Sequence, residues 1–453
     1  MPHSSTRLPL LLALTLVAPW WQSGYGAQAP THWVATWAAA PQTARIAFPR
    51  APAPAPPAAA PAAAGAPSAS GPSGAPRRAP GFGPPPHFDH QTVRMIVRVS
   101  LGGARVRVQL SNAFGTGPLP IGAAHVALSS GGSGIVAASD RALSFSGQPS
   151  VVIPAGAAVL SDPVNLRVPA LAHLAISLYV AGKVDDITEH LAALHTSYIS
   201  KMGDFTAAAA LAGAQTQQSW YWLAGVDVAA APNAGLIVAF GDSITDGVNS
   251  TPNADLSWVG QLARRLESAP AHGRSWAIIN EGISGNRLLN DFIGPAGLAR
   301  LDRDVFSQPG VQWIIVLEGI NDIGFSSLPG MQATSAVTAQ QLIAAQRQII
   351  ERAHVHGLRV MGATLTPFQG ASYYSEHGES VREAVNHWIR TAHAFDAVVD
   401  FDAVVRDPQH PKAIRAAFNH TDHLHPNDAG YKAMADAIDT AIFSLPAVRV
   451  PSP

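Results

Sequence analysis

LIVAFGDSITDG, from Leu236 to Gly247, joins an unbroken apolar run to a polar turn. The run Leu236 to Phe240 is bounded by Gly241 and Asp242 and lacks the spacing of an amphipathic surface helix. It suits a strand buried on both faces in a parallel sheet. Ser243 then stands at the carboxyl end of the strand, the edge where open α/β sheets bind their ligands. A hydroxyl there is a candidate nucleophile. The plainer reading is a helix N-cap, its Oγ holding a backbone N–H of the next turn.

Downstream, Trp258, Val259, Leu262, Ala263 and Leu266 repeat at helical spacing. Strand-like runs follow at Trp276 to Ile279, Trp313 to Leu317, Val360 to Leu365 and Ala397 to Phe401. Between them, Leu342, Ile349 and Ala353, then Val381, Val385 and Ile389, signal helices. This alternation predicts a parallel sheet with right-handed crossovers and helices on both faces, spanning 232–446. All the carboxyl ends of the strands then open onto one rim.

Three segments on that rim carry unusual residues. Asn280-Glu281-Gly282-Ile283-Ser284-Gly285-Asn286 has glycines that let backbone N–H groups approach a ligand. Gly319-Ile320-Asn321-Asp322 places a side-chain amide at the same edge. Asp422-His423-Leu424-His425-Pro426 precedes a helix that Pro426 can start, with Tyr431, Met434, Ala435 and Ile438 as its buried face. Asp422 and His425, three residues apart in one turn, can sit within hydrogen-bond reach of each other. Taken singly, Asn321 and Asp322 read as helix caps, Gly285 as a turn residue and Asp422 as a loop carboxylate. Asp242 and Asp246 read as loop or cap carboxylates, and Arg287 as a salt-bridge partner or a substrate contact.

Taken together, GDSITDG, NEGISGN (280–286), GIND (319–322) and DHLHP (422–426) resemble, in order, the blocks of an SGNH hydrolase of the GDSL esterase/lipase family. Ile244 stands where the name-giving Leu usually is, at a packing position. The resemblance implies a flavodoxin-like sheet and a serine esterase that needs no cofactor and no metal. In it Ser243 is the nucleophile, His425 the general base and Asp422 its partner. The oxyanion would be received by the backbone N–H groups of Ser243 and Gly285 and the amide of Asn321. Thr245 occupies the second glycine position of a G-x-S-x-G elbow, so the chain departs from the ordinary α/β-hydrolase pattern. Asn286, with Phe368, Tyr373 and Tyr374 of the Pro367–Glu379 loop, is expected to line the substrate pocket. Self-packing of that loop is the alternative.

The whole chain has 453 residues, enough for two domains with substantial cores. Its 29 basic and 30 acidic residues leave no net field to attract nucleic acid or an anionic membrane. Residues 1–29 read as a signal peptide: a weakly basic lead, an apolar run at Leu8 to Pro19 too short to span a bilayer, and a small-x-small site at Ala27-Gln28-Ala29. A secreted or periplasmic protein is expected. The sequence contains no Cys, which excludes disulfides, thiolate metal sites and a Cys-linked lipid anchor.

Residues 30–231 read as an all-β sandwich-like domain interrupted at 49–86 by a disordered Pro/Ala-rich spacer. Alternation in Val93 to Leu101 and Val106 to Leu110, around Gly102-Gly103, predicts a β-hairpin with one wet face. Trp220 and Trp222 are expected inside, with a sugar-stacking platform as the alternative. This region resembles that of secreted two-domain bacterial esterases grouped with xylan-degrading systems. The expected substrate is therefore a small acyl ester, such as acetyl on a polysaccharide, with short-chain or aryl esters accepted in vitro. Two readings from other classes stand beside it. One is a metal-dependent hydrolase using His420, His423 and His425; the other is a carbohydrate-binding protein with an inactive hydrolase half.

Overall fold

The strand Gly235–Gly241 is buried along its whole length, which requires cover on both faces. It pairs in parallel with Trp276–Gly282 on one side and Val311–Leu317 on the other. Arg359–Ala363 and Ala397–Val399 extend the sheet. Numbered along the chain these strands lie in the order 2-1-3-4-5, the order of flavodoxin-like sheets. The structure is a computed structural model and describes residue 1 and residues 31–44, 87–269, 273–328 and 336–444. The expected signal peptide, Met1 apart, and the 49–86 spacer lie outside the described residues.

The helices begin where side chains satisfy their first N–H groups. Ser257 caps Trp258–Ser268, Thr338 forms a capping box with Gln341 for Ala339–Val355, and Ser375 caps Glu376–Thr391. Asn427, rather than a proline, starts Asp428–Asp436 by accepting from the N–H groups of Ala429 and Gly430. Trp258–Ser268 packs on Asp428–Asp436, and Ala339–Val355 on Glu376–Thr391. Among the described residues no helix is long and apolar enough to cross a membrane.

Upstream the chain is all β. One sheet orders Trp33–Ala38, Leu223–Ala229, Val106–Ser111 and Ala158–Leu160. A larger sheet contains Phe88–Arg98, His173–Val184 and Leu119–Gly131. Side chains from both, including Val93, Val97, Leu174, Val108 and Val226, share one core. The predicted hairpin does not form. Phe88–Arg98 pairs with His173–Val184, whereas Val106–Ser111 pairs with Leu223–Ala229 in the other sheet. The strands flanking Gly102-Gly103 thus belong to opposite layers.

The expected wet face is also dry at Arg94. This side chain is fully buried because the chain around Thr206 and Ala208 folds over it. Its guanidinium donates to Ser177 Oγ (2.8 Å), Ser133 O (2.6 Å), Thr206 O (3.0 Å) and Ala208 O (2.8 Å). Trp220 and Trp222 are buried as well, and Trp220 Nε1 donates to Ile96 O (3.0 Å).

The described residues from His32 onward form one compact unit. Val34, Ala35, Ala38 and Leu101 belong to the core of the α/β half. Ile278 N–H donates to Ser100 Oγ (3.0 Å), and Arg98 donates to Gly260 O (2.7 Å). The two halves thus meet through side chain-to-backbone hydrogen bonds as well as apolar burial. Replacing Arg94 with Ala leaves the buried Thr206 carbonyl and the part-buried Ser133 and Ala208 carbonyls without this donor. Arg94→Ala is expected to lower the unfolding free energy by about 3 kcal/mol or more, measured by urea denaturation. An unchanged midpoint would mean that these carbonyls find other partners.

Candidate active site

Ser243 opens the short helix Ser243–Asp246 directly after the central strand, yet it is not the cap. Asp242 takes that role, its Oδ1 accepting from Ile244 N–H at 2.9 Å. The Ser243 hydroxyl instead lies 2.8 Å from His425 Nε2. His425 Nδ1 lies 2.7 Å from Asp422 Oδ2, while Asp422 Oδ1 accepts the backbone N–H groups of Leu424 (3.1 Å) and His425 (3.0 Å). Asn249 Nδ2 donates to Asp422 Oδ2 at 2.7 Å. Burial works against the Asp422 charge, but the bonds from the His425 ring and backbone outweigh it and hold the carboxyl well below the usual carboxylate range.

Gly285 and Asn321 come from the next two strand ends. Gly285 has φ +78°, and a Cβ there would meet Ile293 Cδ1 at 2.6 Å. That conformation and approach admit only glycine without strain. Asn321 sits in the helix Ile320–Phe325, whose N-cap is Gly319, so neither Asn321 nor Asp322 caps it. Asn321 Nδ2 donates to Asn286 O (2.9 Å), and Tyr373 Oη donates to Asn321 Oδ1 (3.2 Å). The two bonds fix the orientation of the amide. Asp322 accepts from Leu288 N–H (2.6 Å) and Leu289 N–H (3.1 Å) and so anchors the chain after Gly285. Burial, against those two bonds, pushes its carboxyl up to about 6.

Several expected pocket residues form the framework instead. Phe368 is fully buried in the apolar core. Asn286 is fully buried too, accepting from Arg300 Nε (2.8 Å) and donating to Pro295 O (2.8 Å). Tyr373 is buried and serves Asn321, while Tyr374 packs on Phe368 and donates to Glu376 (2.9 Å). The loop carrying these aromatics therefore packs on itself and on the core. Arg287 donates to Asp291 O (2.7 Å). Beside Asn249 and His420, an open groove of about 780 Å³ is lined by Thr196, Thr216, Gln217 and Gln218 of the β region.

Arg300 has no counterpart in the sequence reading. It stacks 3.9 Å over the Phe240 ring and donates to Gly241 O (2.9 Å), Glu281 O (2.7 Å) and Asp304 Oδ2 (3.1 Å). Glu318 lies 3.7 Å from it. Arg300 thereby joins the carboxyl ends of three adjacent strands. Burial and neighbouring carboxylates push Glu281 and Glu318 well above the ordinary range, against the charge of Arg300 and, for Glu281, of Arg303. Burial first, and then repulsion from Asp322, raises Asp242 to about 7 against the Ile244 N–H bond and Arg300.

The cluster proposed for a metal does not assemble. His425 faces Asp422 and Ser243, His423 Nδ1 faces Asn419 (2.9 Å), and His420 Nδ1 faces Thr421 (3.3 Å). Among the described residues, the group with metal-like spacing is His173, His195 and Asp255. There each carboxylate oxygen already binds a histidine, at 2.9 and 2.8 Å, and Arg98 lies 3.6 Å away. A second cation beside Arg98 is disfavoured by repulsion.

The parallel sheet thus brings a serine, a histidine and a side-chain amide to its carboxyl edge. Residues 237–438 match the family of GDSL-like lipases and acylhydrolases. The matched segment carries Ser243, Gly285, Asn321, Asp422 and His425. Among solved structures, the chain is similar to a GDSL-like lipase from Bacteroides thetaiotaomicron at 19% identity, covering 46% of this chain and 87% of that one with a TM-score of 0.35. It is also similar to an acetyl xylan esterase from Geobacillus stearothermophilus at 21% identity, covering 45% and 92% with a TM-score of 0.36. No curated protein matches its sequence significantly.

The raised Asp242 carboxyl has a consequence for stability. Between the unfolded value of 3.8 and the folded value of about 7, the native chain binds a proton that the unfolded chain releases. Stability therefore falls as pH rises through that window. Asp242→Asn keeps the capping oxygen and removes this titration. Its melting temperature relative to the wild type is expected to increase from about pH 4 to about pH 7; a constant difference would contradict the assignment.

Proposed function

We propose that Ser243 attacks a carboxylic ester and carries the acyl group, with His425 as general base and then acid, and Asp422 as the partner that fixes its ring. The observation that carries this reading is the 2.8 Å approach of Ser243 Oγ to His425 Nε2, with Asp422 on the opposite ring nitrogen. Nδ1–H donates to the carboxylate, so Nε2 presents a lone pair to the serine hydroxyl. The proton taken from Oγ passes to the leaving alcohol, and the same ring then activates the water that releases the acid. The oxyanion is received by the N–H groups of Ser243 and Gly285 and the second N–H of Asn321. One such donor is typically worth about 10²- to 10³-fold in rate.

We propose further that the enzyme is secreted or periplasmic and removes small acyl groups, such as acetyl, from a polysaccharide. The leader-like sequence at 1–29 supports export. The groove beside Asn249 and His420, uncharged and lined by hydroxyl and amide side chains together with Leu194, Val248 and Pro252, supports a neutral alcohol with both polar and apolar faces, as a sugar has. A carbohydrate-binding protein with an inactive hydrolase half would tolerate a broken triad; the intact hydrogen-bond chain favours the esterase.

Ser243→Ala is expected to lower turnover of an aryl acetate by at least about 10⁴-fold with its melting temperature kept. Substantial remaining activity in the variant would end the proposal. Acetate released by the wild type from a panel of acetylated polysaccharides tests the substrate. Release from none of them, with aryl acetate still cleaved, would leave the chemistry standing and overturn the polysaccharide.

A further inference from the structure

His190 lies in the β region, at the end of the strand Thr188–His190, and is almost fully buried. Its Nδ1 is 3.0 Å from Ala40 O and its Nε2 is 3.0 Å from Asp246 Oδ1. A carbonyl oxygen can only accept, so Nδ1 carries a proton. Nε2 and the carboxylate then share a second proton, which makes the pair an imidazolium facing a carboxylate. The other oxygen, Asp246 Oδ2, accepts from both the backbone N–H (3.0 Å) and the hydroxyl (2.6 Å) of Ser284. Ser284 directly precedes Gly285, and Asp246 is the last residue of the turn that Ser243 opens.

A second contact from the same segment reaches the same loop. Leu191, next to His190, packs on Phe292 and Ile293, and Ile293 is the side chain that closes on Gly285.

We propose that His190 is a positioning residue for ester hydrolysis: through Asp246 it holds Ser284, and so sets where the Gly285 N–H meets the oxyanion. The inference rests on the serine esterase reading above. Asp246 faces the ring from the nucleophile turn, and the more distant Arg300 opposes its charge. Burial also works against the charge, but the carboxylate and the two acceptor bonds outweigh it and hold the imidazole above its ordinary value. Loss of that proton at alkaline pH leaves Asp246 with no donor on one side and loosens its grip on Ser284.

The test compares wild type, H190Q, S284A and the double variant in the full chain, all with an aryl acetate. H190Q is expected to lower kcat by about 10-fold, a fraction of the value of one oxyanion donor, with KM within about twofold of wild type. S284A is expected to give a smaller loss in kcat alone. Because both act through Asp246, the double variant should be no slower than the slower single variant. The wild-type kcat should decline on the alkaline side, and H190Q should lack that decline. If H190Q does not fold, D246N with and without S284A replaces it, and the wild-type alkaline profile is still read. Values of kcat within twofold of wild type for the single variants, or losses that multiply in the double variant, would overturn the proposal. Wild-type cleavage that vanishes in Ser243→Ala keeps the esterase reading intact in either case.

Discussion

The site depends on a buried guanidinium. Arg300 lies against the Phe240 ring and binds the carbonyls of Gly241 and Glu281 while facing Glu318. These are the ends of the three strands from which the nucleophile, the Gly285 loop and the Asn321 helix depart. A cation taken out of water is costly unless every donor finds a partner. Here the strand ends are among the partners, beside Asn286 and Asp304, so full compensation for desolvation requires the three ends to lie side by side. The same cation allows several carboxyls to be packed beneath the serine. With too little positive charge to match them all, their pKa values move upward.

Around that centre each polar group has a distinct task. Asp242 caps the turn, which leaves the Ser243 hydroxyl for His425. Asp322 holds the backbone after Gly285, and Tyr373 with Asn286 sets the Asn321 amide. Asn249 adds a donor to Asp422 that neither ring nor loop backbone supplies. The β region contributes from outside the sheet through His190 and Leu191, and its first strand shares buried residues with the α/β core. Such preorganised dipoles need little rearrangement when charge develops on a substrate oxygen.

Much of the parallel sheet was legible in the sequence, because its strands are short apolar runs separated by amphipathic helices. Ser243, Asp422, His425, Gly285 and Asn321 were legible because they stand at strand or loop ends in recognisable blocks. Arg300 was not, since an arginine in the short helix Gly297–Leu301 looks like part of a solvated face until its partners are seen. His190 was equally silent: its partner is 56 positions away, and local spacing carries no sign of it. The hairpin expectation around Gly102-Gly103 failed because alternation reports which residues turn inward but not which sheet they join. Arg94 failed for a related reason, as a charged residue on the outer face can be covered by a distant loop. For the aromatic loop the sequence left lining and self-packing both open, because aromatics beside a site pack into a core as readily as they line a pocket.

The central claim is that a hydroxyl activated by His425 sits at this edge. It is tested most directly by reacting the full chain with an aryl fluorophosphonate and locating the adduct by peptide mass spectrometry. One adduct per chain, on the peptide carrying Ser243 and lost when His425 is replaced by Ala, is the predicted result. Labelling at another serine, or labelling of Ser243 that persists unchanged without His425, would contradict it.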